Sequence, residues 1–592
     1  MLVAAGEPAP RRGDANADSA ERAHNGGTLM TTSDAPESAS RPLLGMGVVP
    51  GSGYGPAIRP APRPELPSGG ERVPEDEREA EIARYTEAVT DVAGRLERRS
   101  ANASGAAAEV LMATAGMARD RGLSGMVEAQ IRGGAPAPEA TAIAAGQIAD
   151  MFKMAGGLMA ERVTDVEDVR DRVIAVLTGA PEPGIVMPDV PSVLLADDLA
   201  PADTAGLDPE IIVGIATELG GPTSHTAIIA RQLGIPCVVA VPGLGEVPVG
   251  TRVLVDGATG EVVLNPTDED AWLRVESAAK EREAIAAWSG PGATSDGYAV
   301  QVLANVQDGA GARKAAQTQA EGVGLFRTEL CFLDQPTEPT VEEQSAIYAE
   351  VFEAFAGRKV VIRTLDAGSD KPLGFVGMPD EANPALGVRG LRLAFDDPGL
   401  VERQLDAIRL AADRTGSEPW VMAPMIATVS EARFFAVRCR ERGLKAGIMI
   451  EIPAAALHAD RMVKEVDFLS IGTNDLAQYT MAADRLSATL ATLTDPWQPA
   501  LLALIGRTAE AGQASGTPVG VCGEAAADPV LACVLVGLGI TSLSCAAPAV
   551  AAVGSRLARA SLADCQAAAR AVLDAEDAVA AKTAAREILG VL

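Results

Sequence analysis

Three histidines occur in this sequence, His24, His225 and His458, and one of them stands in a segment suited to chemistry. The segment Gly220–Arg231 reads GGPTSHTAIIAR, and its apolar residues keep helical spacing until Gly234. This pattern places His225 at the exposed start of a short helix, where backbone N–H groups and the helix dipole favour a bound phosphate. The sequence therefore predicts that His225 carries a phosphoryl group.

A second set of reactive side chains follows short apolar runs in the C-terminal half. Helical stretches lie between most of these runs, and eight strand–helix units over about 300 residues are typical of a (β/α)8 barrel. The predicted strands are Val300–Val306, Gly322–Glu329, Val360–Asp366, Trp420–Met425, Lys445–Glu451, Asp467–Thr473, Pro518–Glu524 and Ser542–Ala546.

The side chains at the C-terminal ends of these runs form a chemically coherent group, because those ends share one face of a barrel. Arginines bind phosphate or carboxylate in a forked geometry, carboxylates are hard ligands for Mg²⁺, and a cysteine can donate a proton. A lone strand-end arginine is more often in a structural ion pair, and a lone buried cysteine is usually inert. The convergence of the whole set favours an anion-plus-metal site. Its predicted members are Arg327, Arg363, Asp366, Arg389, Glu451, Asn474, Asp475, Arg485 and Cys522.

The remaining elements must position these groups. Residues 1–41 have no apolar periodicity and are predicted to be disordered. Residues 42–74 and 179–266 are predicted to form one small α/β domain around His225, with a bundle of four helices (75–178) inserted in it. Residues 267–296 are a predicted linker helix, and residues 297–592 are the predicted barrel.

Composition excludes several classes of function. The net charge of −30 argues against nucleic acid or an anionic membrane as a partner, because their phosphates would be repelled. Seven cysteines without a C-x-x-C pair are typical of reduced thiols in the cytoplasm. The uncharged segment 529–554 contains two prolines, so it is predicted to be a buried helix followed by a barrel strand and not a membrane span.

Six motifs in order resemble Enzyme I of the bacterial phosphoenolpyruvate-dependent sugar phosphotransferase system, the phosphoenolpyruvate-protein phosphotransferases. The resemblance covers about residues 43–590. The motifs are the His225 segment, GLFRTE (324–329), RTLD (363–366), IMIEIPAAA (448–456), SIGTNDLAQYT (470–480) and VCGE (521–524).

The resemblance implies a reaction. Phosphoenolpyruvate binds the barrel with Mg²⁺, and its phosphoryl group passes to His225. Cys522 protonates the remaining enolate to pyruvate, and the phosphoryl group then moves to a histidine of the carrier protein HPr, which docks on the helical bundle. The family also implies a homodimer formed through the barrel.

The resemblance also implies residue roles. Glu451 and Asp475 resemble the metal ligands, and Thr204 resembles a threonine that hydrogen-bonds the reactive histidine. The substrate-binding residues that it implies are Arg327, Arg363, Arg389, Asn474 and Arg485. Two positions depart from the family pattern: Ser369 replaces a glycine, and Leu486 follows Arg485 where the family has glycine.

Two alternatives remain open. Pyruvate phosphate dikinase or phosphoenolpyruvate synthase would share the histidine domain and the barrel, but would need an ATP-binding domain of some 300 residues; no G-x-x-x-x-G-K-[ST] motif occurs. A non-catalytic paralogue that senses phosphoenolpyruvate would not need the complete set of reactive residues found here.

Overall fold

The computed structural model describes residues 42–591 with internal gaps. The predicted disordered extension (1–41) and Thr204 lie outside the described residues, as does the side chain of His225. The gaps are 62–63, 66–68, 70, 103–105, 156–161, 186, 200–206, 222–223, 334, 369–371 and 378–380.

Eight short strands form a mixed sheet in the order β1-β8-β7-β3-β4-β5-β6-β2. The segment Leu43–Val49 supplies both ends of this order, because β1 pairs with β8 and β2 pairs with β6. β3, β4, β5 and β6 run parallel to one another, as strands joined by crossovers do, whereas β3 pairs antiparallel with β7 and β6 pairs antiparallel with β2. The strands are β1 Leu43–Leu44, β2 Met46–Val49, β3 Ser52–Ile58, β4 Ser192–Ala196, β5 Ile212–Thr217, β6 Cys237–Val239, β7 Arg252–Asp256 and β8 Glu261–Leu264.

The helical bundle enters the chain between β3 and β4. Its apolar faces pack around a core that includes Leu96, Leu111 and Ile131, all fully buried. Residues 106–132 form two helices and not one, because Asp120 caps the second helix by accepting a hydrogen bond from the Leu123 amide at 2.9 Å. The described part of the bundle therefore has five helices where four were predicted: α1 Arg78–Asn102, α2 Ala106–Ala118, α3 Arg121–Arg132, α4 Ala137–Ala155 and α5 Val163–Thr178.

Two further helices serve the sheet domain and its exit. α6 (His225–Leu233) follows β5, and α7 (Asp268–Ala287) leads toward the barrel. Trp272 of α7 meets Tyr54 of β3 edge-on, with ring centroids 5.7 Å apart. Directly after α7, the Trp288 ring lies against the barrel helix that contains Gly554. The segment of α7 and Trp288 therefore contacts the mixed sheet at Trp272 and the barrel at Trp288.

The C-terminal half is a closed barrel of eight parallel strands, as the sequence predicts. β16 pairs with β9, which closes the ring. The strands are β9 Gln301–Val306, β10 Gly322–Arg327, β11 Lys359–Arg363, β12 Trp420–Ala423, β13 Lys445–Ile450, β14 Phe468–Ile471, β15 Val519–Val521 and β16 Ser542–Ala546. The helices are α8 Gly309–Ala315, α9 Val341–Ala354, α10 Leu393–Asp396, α11 Pro398–Thr415, α12 Val429–Glu441, α13 Pro453–Leu457, α14 Ala459–Met462, α15 Thr473–Met481, α16 Pro499–Ser515, α17 Pro529–Gly537, α18 Val550–Leu557, α19 Leu562–Leu573 and α20 Ala578–Ile588.

Glycines alternate with large side chains inside the barrel. A Cβ on Gly447 would lie 2.3 Å from the Phe468 ring, so this position must lack a side chain for the ring to fit. Phe468 in turn packs against Trp420 at 5.0 Å between centroids. Filling the interior with such small and large pairs makes it a packed core.

The uncharged segment 529–554 has the structure that the sequence predicts. It forms the buried helix α17 followed by strand β16. Among the described residues, no helix is both long and apolar enough to span a bilayer.

Candidate active site

The barrel carries the predicted reactive residues at the C-terminal ends of its strands. Arg327 ends β10, Arg363 ends β11, and Glu451 directly follows β13. Cys522 directly follows β15. All four positions are therefore on one face of the barrel, as predicted.

Arg363 is the buried centre of a group of carboxylates. Its Nη2 donates to Glu329 Oε1 at 2.6 Å, and its Nη1 lies 3.1 Å from Asp366 Oδ2 and 3.9 Å from Glu451 Oε1. Burial opposes the positive charge, but the three carboxylates outweigh it and raise the pKa of Arg363. The guanidinium is thus a fixed cation.

Arg389 bridges two acidic residues. Its Nε and Nη2 donate to the two oxygens of Asp366 at 2.9 Å each, and its Nη1 and Nη2 donate to the two oxygens of Asp475 at 3.1 Å each. The side chain is 1% exposed. Arg389 is thus engaged by protein carboxylates, which was the structural alternative for such an arginine.

The other two predicted arginines are more accessible. Arg327 has a side chain 36% exposed, and its Nε lies 3.8 Å from Glu329 Oε1. Arg485 is 23% exposed, with Nη1 3.5 Å from Asp475 Oδ2. These two guanidinium groups line the solvent side of the site.

Glu451 is held by an unusual backbone. Its Oε2 accepts a hydrogen bond from the Met425 amide at 2.8 Å, and Met425 has φ of +61°. A positive φ at a residue with a side chain costs free energy and is found where a site requires it. Burial, then the nearby Asp475 and Asp366, raise the pKa of Glu451 to about 8.

Asn474 is the second residue of α15, which begins just after β14, and Cys522 directly follows β15. Asn474 Nδ2 donates to Glu524 Oε1 at 3.1 Å, and its Oδ1 accepts from the Glu524 amide at 3.0 Å. Cys522 is 4% exposed. Burial raises the pKa of its thiol to about 11, so the thiol is protonated at neutral pH.

His225 is the first residue of α6, as the sequence predicts. Ser224 caps this helix, and its hydroxyl accepts a hydrogen bond from the Ala227 amide at 3.3 Å. Gly234 ends the helix with φ of +69°, a left-handed conformation suited to glycine. The start of α6 is thus a helix N-terminus, whose backbone N–H groups and dipole attract anions.

Three family models match the chain. They are described as the N-terminal domain (residues 44–162), the mobile domain (188–260) and the PEP-binding domain (282–562) of PEP-utilising enzymes. A phosphoenolpyruvate-protein phosphotransferase of Streptomyces coelicolor is 49% identical over 92% of this chain and 99% of its own length.

The chain belongs to the phosphoenolpyruvate-protein phosphotransferase family. A second member, from Haloferax volcanii, is 40% identical over 90% of this chain and 97% of its own length. Among solved structures, an NMR structure of Enzyme I is 31% identical, covers 40% of this chain and 98% of its own, and has a TM-score of 0.35. The members of this family are enzymes.

A divalent metal ion is used in this family, and the donor set here fits one. Glu451, Asp475 and Asp366 are buried close enough for mutual repulsion to raise the pKa of Glu451. Among the described residues, no three His, Cys, Asp or Glu side chains form a metal cage of their own. Two carboxylates that share the ion with a substrate phosphate are the arrangement that Mg²⁺ favours.

Glu329 received no role from the sequence, and Asp366 was predicted as a member of the convergent set without a specific role. Glu329 is 2% exposed and holds Arg363, and Asp366 holds both Arg363 and Arg389. Each lies inside a motif of this family, two residues after Arg327 and three after Arg363. Carboxylates so close to Arg363 and Arg389 indicate residues that position these arginines.

Proposed function

We propose that this chain transfers the phosphoryl group of phosphoenolpyruvate to His225, and from His225 to a histidine of the phosphocarrier protein HPr. Pyruvate is released, and the reaction is the first step of sugar uptake by the phosphotransferase system. The observation that carries this proposal is the convergence of arginines, buried carboxylates and a protonated thiol at one end of a closed barrel. The match to a phosphoenolpyruvate-protein phosphotransferase over 92% of the chain supports it.

Phosphoenolpyruvate carries a carboxylate and a phosphate, and the site offers cations for both. The Nε atoms of Arg327 and Arg363 are buried and donate no hydrogen bond within the part of the chain that the structure describes. We assign these two arginines, with Arg485 and Asn474, to the substrate. Arg389, whose guanidinium is engaged by Asp366 and Asp475, contributes positive charge and orients Asp475.

We assign Glu451 and Asp475 as the ligands of Mg²⁺, which when bound would neutralise charge on the phosphate. The protein itself positions both carboxylates for the ion. The Met425 amide fixes Glu451, and the Arg389 fork fixes Asp475. Phosphoryl transfer depends mainly on such positioning and charge neutralisation.

Cys522 would deliver the proton. When the phosphoryl group leaves for His225, the enolate that remains accepts the S–H proton at its methylene carbon, which gives pyruvate. Because burial keeps the pKa of this thiol at about 11, the proton is present at neutral pH. A general acid must be protonated at the start of the step.

The helical bundle would receive HPr, and the barrel would form a homodimer. Met112, Met151 and Met154 of the bundle are exposed, by 81% for Met154, and methionines suit adaptable protein interfaces. Leu386 and Phe395 on the barrel are 65% and 55% exposed, as at a surface that a second copy covers. We place the reaction in the cytoplasm, where phosphoenolpyruvate is made and thiols stay reduced.

Labelling with phosphoenolpyruvate that carries a phosphorus isotope tests the proposal. With Mg²⁺, the wild-type protein should acquire acid-labile, base-stable label that passes to added HPr. His225→Ala should acquire none, whereas the matched variant His458→Ala, changed at an exposed histidine outside the six motifs, should label normally. Equal labelling of His225→Ala, or no labelling of the wild type, would contradict the proposal.

The two alternative functions, a dikinase or synthase and a non-catalytic sensor, differ from the proposed enzyme in the domains that they need or in the labelling that they predict. A dikinase or synthase needs an ATP-binding domain, and the described residues before α6 form the mixed sheet and a helical bundle instead. A sensor without activity would bind phosphoenolpyruvate without labelling His225. The same experiment therefore separates it from the proposed enzyme.

A further inference from the structure

The interior of the barrel contains a polar cavity below the site. Its polar lining residues are Ser470, Ser542, Ser544 and Lys359, and apolar side chains, among them Leu303, Val361 and Phe468, complete the wall. About 20 Å³ is open to the centre of a water-sized sphere, against the roughly 10–15 Å³ that one bound water needs. An ordered buried water needs sufficient room and about two to four polar partners, and the four polar side chains supply such partners.

Two glycines make this polar lining possible. A Cβ on Gly324 would lie 2.4 Å from Ser544 Oγ, and a Cβ on Gly520 would lie 2.4 Å from Ser542 Oγ. A barrel interior is normally filled by branched apolar side chains. Here hydroxyl groups occupy part of this space. Burying a hydroxyl group among apolar side chains without a hydrogen-bond partner costs free energy.

Ser470 of the cavity lining connects the cavity to Cys522, which does not itself line it. Ser470, which is 6% exposed, hydrogen-bonds the Cys522 thiol and favours its ionised form, as a hydroxyl that donates to the sulfur would. A second polar link runs beside it, since Ser544 donates to Asn305 Oδ1 at 2.6 Å and Asn305 donates to the Cys522 carbonyl at 3.2 Å.

The lower end of the cavity reaches the opposite face of the barrel through Lys359, the first residue of β11. Lys359 is half-buried, with Nζ 3.3 Å from Gln301 Oε1 and 4.0 Å from the Trp420 ring centroid. Lys445 lies on the same ring at 4.8 Å but is exposed and does not line the cavity. Burial, then the neighbouring Lys445, lower the pKa of Lys359 to about 8, so this ammonium gives up a proton more readily than an ordinary lysine.

We propose that Ser470, water in the cavity and Lys359 form a proton path that reloads Cys522 from the solvent at the far face of the barrel. This inference rests on the proposed function, in which Cys522 protonates the enolate. After that step the S–H bond is broken and a thiolate is left under bound pyruvate, at the closed end of the site.

The protons balance along the path. Ser470 passes its hydroxyl proton to the thiolate and takes one from the cavity water. The water takes one from the Lys359 ammonium, and the resulting amine regains a proton from the solvent. The net result is one solvent proton delivered to Cys522 in each turnover, with Ser470, the water and Lys359 restored.

The test counts solvent protons for each reversal of the reaction. The full-length protein is incubated in D₂O with Mg²⁺, phosphoenolpyruvate and ¹³C-labelled pyruvate. The ¹³C that appears in phosphoenolpyruvate measures reversals, and deuterium in the pyruvate methyl group measures how often Cys522 was reloaded from solvent. In Ser470→Ala and Lys359→Met the ¹³C exchange should persist while deuterium per reversal falls roughly tenfold or more, in the range of general acid–base effects.

Matched variants separate a proton path from a structural role. Ser470→Thr keeps the hydroxyl, and Lys445→Met removes a lysine from the same Trp420 ring, so both should retain the wild-type deuterium content per reversal. Ser470→Ala could lose ¹³C exchange altogether, and its deuterium content per reversal could then not be measured. Lys359→Met, changed at a residue remote from the reacting atoms, then provides the test. Wild-type deuterium per reversal in Lys359→Met would overturn the path. Absence of ¹³C exchange in the wild type would instead overturn the proposed function.

Discussion

Arg389 and Asp366 face each other as two parallel forks, with Nε and Nη2 of the arginine 2.9 Å from the two carboxylate oxygens. Asp475 accepts hydrogen bonds from Nη1 and Nη2 of the same guanidinium. The two carboxylates come from different strand ends, so this arginine joins the loop after β11 to the start of α15. Arg389 thereby holds Asp475, a candidate metal ligand, in place.

Removal of this fork should destabilise the barrel strongly. Arg389→Met removes the cation that forks onto two buried carboxylates, and breaking a buried pair in this way costs about 3–5 kcal/mol. Arg403→Met is the matched control, because Arg403 also forks onto a carboxylate, Glu338, but its side chain is 42% exposed. That loss should cost less than about 1 kcal/mol. Chemical denaturation followed by a barrel-specific probe measures both, and equal losses would contradict the assignment.

Cys522 should resist alkylation at pH 8. With a thiol pKa of about 11, about one molecule in a thousand is the reactive thiolate at that pH. The rate of iodoacetamide labelling at Cys522, followed by peptide mass spectrometry, should rise about tenfold per pH unit up to pH 10. A rate that levels off below pH 9 would show a lowered pKa and argue against a protonated donor.

The metal-free protein should gain stability from Glu451→Gln as pH rises. The folded-state pKa of Glu451, about 8, lies above its ordinary value of 4.5, so the folded protein holds this proton more tightly than the unfolded chain. The proton bound by Glu451 therefore stabilises the folded wild type fully below about pH 4.5, and this contribution is lost as the pH rises to about 8. Glutamine cannot ionise, so the difference in unfolding free energy should grow in its favour across that window. Unfolding in EDTA at pH 5 and pH 8 measures it, and a difference independent of pH would be inconsistent with the raised pKa.

Gly447→Ala should disturb the barrel interior. The new methyl group would lie 2.3 Å from the Phe468 ring, and overpacking of this kind costs about 1–3 kcal/mol. In a Phe468→Leu background the same substitution should cost clearly less, because the clashing ring is gone. Equal costs in both backgrounds would place the strain elsewhere.

The sequence predicts the barrel well because buried parallel strands appear as short apolar runs whose ends carry the polar groups. It therefore places Arg327, Arg363, Glu451 and Cys522 on one face. The partner of each group is harder to predict. That Arg389 pairs with Asp366 and Asp475 depends on the path of the loop after β11, which no residue spacing encodes.

Smaller features escaped prediction for equally physical reasons. The helix break at Asp120 lies in an Ala-rich stretch with high helix propensity on both sides, where one capping side chain decides the boundary. The polar cavity in the barrel comes from glycines and serines on four different strands. Each of these glycines and serines is ordinary within the sequence of its own strand, and only closure of the barrel brings them together.

The arrangement of the mixed sheet sets an order of events during synthesis on the ribosome. β1 is among the first strands to emerge, yet its partner is β8, with Leu43 opposite Val262. At about 5–20 residues per second the edge formed by β1 waits on the order of ten seconds or more for that partner. The helical bundle, which ends at Thr178, emerges completely within that interval and has its own core, so it can fold while the sheet around it is still incomplete.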